Sequence, residues 1–348
     1  MSASNQQDVF VDLTGQDDNL GDSALRTAYI RALRREDRRF HIFFDSPTAD
    51  YLSGFDLGET DRIYTERGKW ARTSVSTPHA IHLFNAGEID PQGGKYPNPQ
   101  RTAELRYGAR AGGPLIVAGL GFKDPQAARG TQFPRVFKEA RVISWRDQAS
   151  RDAAGFGDVA PDWAFSLGTE TTEWKPAGSR PLLAVTMRFD RPWPENSWFS
   201  AIAGLAAETS AEVVTLAQVA RDAPKAVRLA EALGGRYLVP PSMSHAVLDA
   251  YAREIFRQSL AVISDRAHGL IIGATEGAYP IGSAANPQKI TRILAAAGLG
   301  DLVGRYDQLG DFSSSVAERA RQLPLAVERA RKTVAQLQKR IETVIDSA

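Results

Sequence analysis

The chain contains no cysteine in its 348 residues, which excludes disulfides, thiolate metal ligands and a cysteine nucleophile. It has no excess of either charge. Lys and Arg number 42 against 41 Asp and Glu, a net charge of +1, so no general attraction to nucleic acid is expected and only a local basic patch is left to consider. No apolar run approaches the roughly 20 residues of a membrane span; Gly112–Phe122 is too short and too rich in glycine. Met1–Asp8 is polar and lacks the apolar core of a secretory leader, which predicts a cytoplasmic protein. There is no phosphate-binding P-loop, and His41, His79, His82 and His245 lack metal-ligand spacing with carboxylates. His79 and His82 stand three apart near a strand, where side chains alternate between faces, so no metal site is expected.

Short β-rich runs alternate with amphipathic stretches, the pattern of parallel sheets covered by helices. Strands are predicted at Val9–Leu13, Phe40–Phe44, Ile81–Phe84, Leu115–Ala118 and Arg141–Ser144, with helices at Asp22–Arg35 and Gln148–Ala154. The alternation restarts at Pro181, with strands Leu182–Met187, Glu212–Leu216, Arg236–Val239 and Leu260–Ile263 and helices Trp198–Thr209, Ala223–Leu233 and Ser244–Gln258. A polar boundary at Gly168–Arg180 divides the two series. The expected fold is α/β, with Rossmann-like domains over residues 1–168 and 181–312 facing each other across a cleft.

Residues 313–348 read as one long helix. Leu323, Val327, Ala330, Val334, Leu337, Ile341 and Val344 recur at steps of three and four and make a seam along one face. Packing of that seam on the body, or across both domains, is the first expectation, because tertiary packing supplies most helix stability; a homo-oligomeric coiled-coil contact is the alternative. The other face carries Arg319, Arg321, Arg329, Arg331, Lys332, Lys339 and Arg340. It reads as a solvated face or as a weak peripheral contact with an anionic membrane.

Three junctions between a strand and a helix carry the polar residues that suggest chemistry. The first is Asp18-Asn19-Leu20-Gly21-Asp22-Ser23, where Asn19, Asp22 or Ser23 can cap the helix. The second is Ser144-Trp145-Arg146-Asp147-Gln148-Ala149-Ser150, in which Arg146 offers a planar fork for a carboxylate or phosphate and Asp147 a cap or a surface partner for it. The third is Ser264-Asp265-Arg266-Ala267-His268-Gly269. Strand ends in open α/β sheets are where ligands bind, and helix N-termini there favour anions. Arg266, His268 and Lys289 therefore form a candidate anion site, with Arg188 as a further cation at the end of another strand. Gly119-Leu120-Gly121 gives only a weak dinucleotide signal, since Asp124 replaces the third glycine. Trp145 and Trp193 are candidates for stacking on sugar faces, with core or loop packing as the default.

In this order, the three blocks resemble the polysaccharide pyruvyl transferase family. Asn19-Leu20-Gly21-Asp22 is similar to its Asn-x-Gly-Asp signature. Arg146-Asp147-Gln148-Ala149-Ser150, followed by Pro161-Asp162, resembles its Arg-Asp-x-x-Ser element. Ser264-Asp265-Arg266-Ala267-His268-Gly269 resembles its Ser-Asp-Arg-Leu-His-Gly hallmark, with Lys289 as the trailing lysine. The likeness runs from about Asp18 to Lys289. Two departures stand out: Phe84-Asn85-Ala86-Gly87-Glu88 replaces a glycine-rich stretch, and Ala267 replaces leucine.

The resemblance implies a fold like that of GT-B glycosyltransferases and transfer of the enolpyruvyl group of phosphoenolpyruvate onto two hydroxyls of a saccharide acceptor, which is in some settings lipid-linked. It implies His268 as acid/base catalyst, Asp22 as the candidate base, and Arg266, Lys289, Arg146, Asn19 and Arg188 as substrate-binding residues. The first domain would take the acceptor and the second the donor, with no cofactor and no metal. Two other readings stay open on the sequence: a GT-B glycosyltransferase using a nucleotide sugar, and a non-catalytic assembly protein on the same fold. Many such glycosyltransferases carry two glutamates separated by seven residues, and this chain has no such pair.

Overall fold

The computed structural model describes residues 6–91, 93–313 and 316–347. Most of the polar leader read at Met1–Asp8 therefore lies outside the described residues, as do residues 314, 315 and 348 of the tail. Two parallel sheets organise the chain. The first comprises β1 (Gln7–Asp12), β2 (Arg38–Phe43), β3 (Arg62–Tyr64), β4 (Ile81–Phe84), β5 (Gly87–Ile89), β6 (Leu115–Phe122), β7 (Val142–Trp145) and β8 (Asp158–Val159). Its order is β3-β2-β1-β4-β6-β7-β8, with β5 also laid against β6. The second comprises β9 (Leu182–Thr186), β10 (Glu212–Thr215), β11 (Arg236–Tyr237), β12 (Ser259–Ser264), β13 (Tyr279–Ser283) and β14 (Val303–Gly304), in the order β11-β10-β9-β12-β13-β14.

Both orders reverse direction once, between β1 and β4 in the first sheet and between β9 and β12 in the second. At such a reversal the flanking crossovers leave toward opposite faces, so a crevice opens beyond the strand ends. The central strands are buried on both faces and read as continuous apolar runs. β12 is buried at every position from Ser259 to Ser264. The predicted strand Leu115–Ala118 extends to Phe122, so the glycines that hinted at a nucleotide loop lie inside β6. Gly119 sits at a break in register between β6 and β7 with φ +89°, a conformation other residues resist, and a side chain there would strike Trp163.

The helix Leu20–Leu33 is buried nearly all round. Leu20 and Ala24 pack on the core of the second sheet, whereas Leu25, Ala28, Tyr29, Ile30 and Leu33 pack on the first. The C-terminal helix repeats this bridging. It starts at Leu323, not at Ser313: the segment before it is broken into the short helices Leu309–Ser313 and Val316–Arg319 and a 3-10 turn, and Pro324 takes the first turn of the long helix. Leu323, Val327 and Ala330 meet the second core, and Val334, Leu337, Ile341 and Ile345 meet the first. The seam thus ends on Ile345, with Val344 only partly buried, and it is consumed within the chain, which corrects the coiled-coil alternative. Part of the basic face is also committed. Arg331 donates to the Leu167 and Thr169 carbonyls at 2.9 and 2.8 Å, and Arg340 pairs with Asp158 at 2.8 Å.

His82 is 7% exposed at the edge of this core, stacked near Phe10, and its Nε2 has no partner among the described residues. Burial, assisted by the Arg101 charge, pushes its imidazole down to about 4. Below the ordinary value near 6.5 the unfolded chain takes up a proton that the native chain refuses, so stability falls as pH drops from about 6.5 to about 4, by on the order of 3 kcal/mol for this one group. His41 and His245 are lowered in the same direction, chiefly by burial. Thermal unfolding followed from pH 7 to pH 4 should show this loss, and His82→Met should flatten it; an unchanged slope in the variant would contradict the assignment.

Candidate functional site

The ends of β1, β7, β9 and β12 converge on one cleft of about 690 Å³ between the two sheets. Asn19, Asp22, Arg146, Arg188, Arg266, His268 and Lys289 all line it. The structure therefore brings together all seven residues expected to act on or bind substrate, although their side chains are engaged in different ways.

Asn19 is the cap of the first helix, its Oδ1 accepting from the Gly21 N–H at 3.1 Å. Gly21 is required for contact: any Cβ there would run into the His268 ring. This close approach brings the start of the first helix against the helix Ala267–Thr275 of the other half. Asp22 accepts the Gln16 N–H at 2.7 Å and lies 3.6 Å from Arg26. Burial alone would raise its carboxyl, but Arg26, the Gln16 N–H, His268 and Arg146 outweigh burial and hold it below the usual range. Asp22 is thus an ionised acceptor at neutral pH and an intrinsically weak base.

Neither Ser264 nor Asp265 caps the helix that follows β12. Ser264 accepts the Arg266 N–H at 2.9 Å and donates to the Thr186 carbonyl, and Asp265 accepts the Arg188 N–H at 2.8 Å. The helix begins at Ala267 with no side-chain cap, so its first N–H groups remain available to a ligand. Asp265 is itself unusual. Among the described residues its buried Oδ2 has no hydrogen-bond partner, and burial pushes the carboxyl up to about 6 in spite of the Arg188 N–H, Lys225 and Arg266.

Arg266 departs from its expected role as a free cation. Its Nε and Nη2 reach the Asp222 carboxylate at 2.7 and 2.6 Å, and Asp222 is fully buried. Arg188 is similarly paired with Asp190 at 2.8 and 2.7 Å. Lys289 contacts Glu88 across the cleft, and burial lowers its amine more than Glu88 raises it. Arg146 is different. It is 3% exposed, not on the surface, and it does not pair with Asp147; Asp162 and Glu88 each lie 3.7 Å from it. Among the described residues no acceptor takes a hydrogen bond from its side chain, and its Nε is fully enclosed. Gly121 makes the room, since a Cβ there would lie 2.6 Å from that Nε.

Two further residues at the cleft were given no role from the sequence: Asp162, quoted there only within the Pro161-Asp162 pair, and Arg292. Asp162, fully buried, receives His268 Nε2 at 3.3 Å and caps the turn Trp163–Ser166. Burial would raise its carboxyl, but His268, Arg146 and the Ala164 N–H hold it low. Arg292 reaches from the second half to Asp147 at 2.9 Å and Ser150 at 3.1 Å, and also bonds the Phe122 and Lys123 carbonyls. Asp147 meanwhile caps the helix Gln148–Ala154 through the Ser150 N–H. Trp145 is fully buried in the first domain, and exposed Trp193 packs on Phe199 and Arg228 outside the cleft, so neither is a sugar platform here. Among the described residues no group of three or more histidine or acidic side chains could hold a metal ion, and no helix is long and apolar enough to cross a membrane.

Because Asp222 is fully buried and the Arg266 side chain only 9% exposed, removing one leaves the other poorly compensated. Asp222→Ala should cost about 3–5 kcal/mol, measurable by urea unfolding; a loss under about 1 kcal/mol would mean that the pair is solvated.

Among solved structures, Anabaena HepE in complex with UDP superposes at a TM-score of 0.54 with 12% identity, over 99% of this chain and 100% of that one. Phytolacca americana UGT2, complexed with UDP-2fluoro-glucose and pterostilbene, gives 0.55 and 8% over 99% of both. The lipopolysaccharide outer core galactosyltransferase WaaB gives 0.50 and 10% over 98% and 99%. Likeness at this identity shows the fold, two Rossmann-like domains in the GT-B arrangement. No curated protein matches the chain. The sequence profile of polysaccharide pyruvyl transferases matches residues 19–283, a span that runs from Asn19 of the first junction through the whole of the second and third and ends before Lys289, and the chain belongs to that family.

Proposed function

We propose that this protein transfers the enolpyruvyl group of phosphoenolpyruvate to two hydroxyls of a saccharide, forming a cyclic ketal and releasing phosphate. The observation that carries the reading is Arg146: a buried guanidinium with no hydrogen-bond acceptor among the described residues, beside a histidine bonded to a buried carboxylate. With Asp162 and Glu88 no nearer than 3.7 Å, its buried N–H groups are left unfilled, which is costly unless a ligand completes them, and a guanidinium fork matches carboxylate or phosphate oxygens. Arg146 from one half and Lys289 from the other would hold the two anionic groups of the donor, with the uncapped N–H groups at Ala267 adding to the same field. Arg266, neutralised by Asp222, shapes this wall and contributes less charge than its sequence position promised.

The reaction then needs a proton for the methylene carbon and acceptors for two hydroxyl protons. His268, its ring oriented by Asp162, delivers the proton, and the double-bond electrons form the new C–H bond. Positive character develops at the neighbouring carbon. One sugar hydroxyl attacks there and gives up its proton. Phosphate leaves with the C–O bonding pair, and the second hydroxyl closes the ring, its proton passing to the imidazole or to phosphate. Asp22 and Asn19 face the acceptor side from the first domain, while the second domain carries most of the donor side. Asp22, held ionised, orients a hydroxyl and accepts its proton only as the bond to carbon forms. These steps use protein side chains and the two substrates, with no cofactor. A lipid-linked, cytoplasmic oligosaccharide is the setting we infer for the acceptor, because phosphoenolpyruvate is a cytosolic metabolite.

UDP in the neighbours named above makes nucleotide-sugar transfer the reading to test against. Calorimetric titration should show phosphoenolpyruvate binding that weakens at least tenfold in Lys289→Met, and no comparable binding of UDP-sugars; the reverse result would move the assignment to glycosyl transfer. With a saccharide acceptor, His268→Gln, which keeps an N–H for Asp162, should lower the rate of phosphate release by about 10²–10⁴ while the thermal transition stays in place. Undiminished release would remove His268 from the chemistry.

A further inference from the structure

We infer that Glu88 is an internal stand-in for the donor's anionic group, occupying the position between Lys289 and Arg146 until the donor displaces it. The inference rests on the donor site proposed above and adds to it a residue that sets which donors are admitted. Glu88 lies in the middle of β5, the three-residue strand laid beside β6, directly after Gly87 at φ +125°. From there its side chain crosses to the other half. A single oxygen, Oε2, contacts Lys289 Nζ and lies 3.7 Å from Arg146 Nη2.

Two cations contributed by opposite halves repel one another unless an anion stands between them. Glu88 supplies that anion from within the chain. Its exposure separates it from the deep acids here: the Glu88 side chain is 32% exposed, whereas Asp162 and Asp222 are fully buried. Glu88 can therefore swing into water and be hydrated, while the buried carboxylates cannot leave without stranding their partners. A ligand with one negative charge gains little by exchanging with a tethered carboxylate. A ligand carrying both a carboxylate and a phosphate engages Arg146 and Lys289 together and wins the exchange. Glu88 thus acts as a charge threshold, excluding monoanions of similar shape, including pyruvate.

The test is calorimetric titration of the full chain, its E88Q variant and the E88Q, K289M double variant with phosphoenolpyruvate, inorganic phosphate and pyruvate, after circular dichroism has confirmed the fold of each. E88Q should bind phosphoenolpyruvate and phosphate about tenfold more tightly and should acquire measurable affinity for pyruvate, and the double variant should lose these gains. Equal or weaker binding of phosphoenolpyruvate by E88Q overturns the stand-in role and leaves the donor assignment standing. Tighter phosphate binding by E88Q, with phosphoenolpyruvate bound by neither protein, supports the stand-in and overturns the donor assignment. Absence of binding by all three ligands overturns both.

Discussion

A carboxylate buried at the seam between the two halves is the constraint around which the cleft is arranged. Asp162 has no access to water, and a lone ionised carboxylate in such a place is prohibitively unstable. It is stabilised by His268 from the second half, by Arg146 from the first and by the Ala164 N–H. Meeting that need brings the end of β7 and the start of the Ala267–Thr275 helix to one point, with the N-terminus of the first helix pressed against them through Gly21. The same contact fixes the orientation of the histidine ring, the arrangement the proposed proton transfer to carbon requires.

Around this point most cations of the cleft are matched by an acid: Arg266 by Asp222, Arg292 by Asp147, Arg188 by Asp190 and Lys289 by Glu88. The pairs differ in depth and so in kind. Those involving the fully buried Asp222 and Asp147 behave as fixed structure, since breaking them strands a buried carboxylate. The partly exposed pairs exchange with solvent and ligands at little cost. In the function proposed here, binding and release of an anion falls to Arg146 and Lys289, and not to the deeply paired Arg266, whatever its place in the motif.

The layout of strands and helices was largely legible in the sequence, because buried parallel strands are continuous apolar runs and the junction residues announce caps. Helices Gln148–Ala154 and Ala223–Leu233 fall where the pattern places them. The gathering of Asn19, Asp22, Arg146, Arg188, Arg266, His268 and Lys289 was legible from motif order and from the rule that ligands sit beyond strand ends. Their pairing was not. Asp222 and Arg266 are 44 residues apart and Arg292 and Asp147 are 145 apart, and no local pattern records such contacts. The same holds for the tail: periodicity revealed the apolar seam, but only the packed structure decides that two cores, and not a second chain, receive it.

That bridging also bears on how the cleft works. A seam that spends three residues on one core and four on the other resists separation of the halves, and the first helix does the same with Leu20 and Ala24 on one side and Leu25 to Leu33 on the other. Both ties lie in elements that span the domains, and Arg292 adds a clasp at the mouth of the cleft. Charges are then in place before a substrate arrives, and dipoles fixed in advance stabilise developing charge without reorganising during the reaction. A flexible pair of domains would have to gather Arg146, His268 and Lys289 at each turnover. Here the fold holds them within reach of one another, and the freedom needed for exchange is confined to side chains at the surface of the cleft.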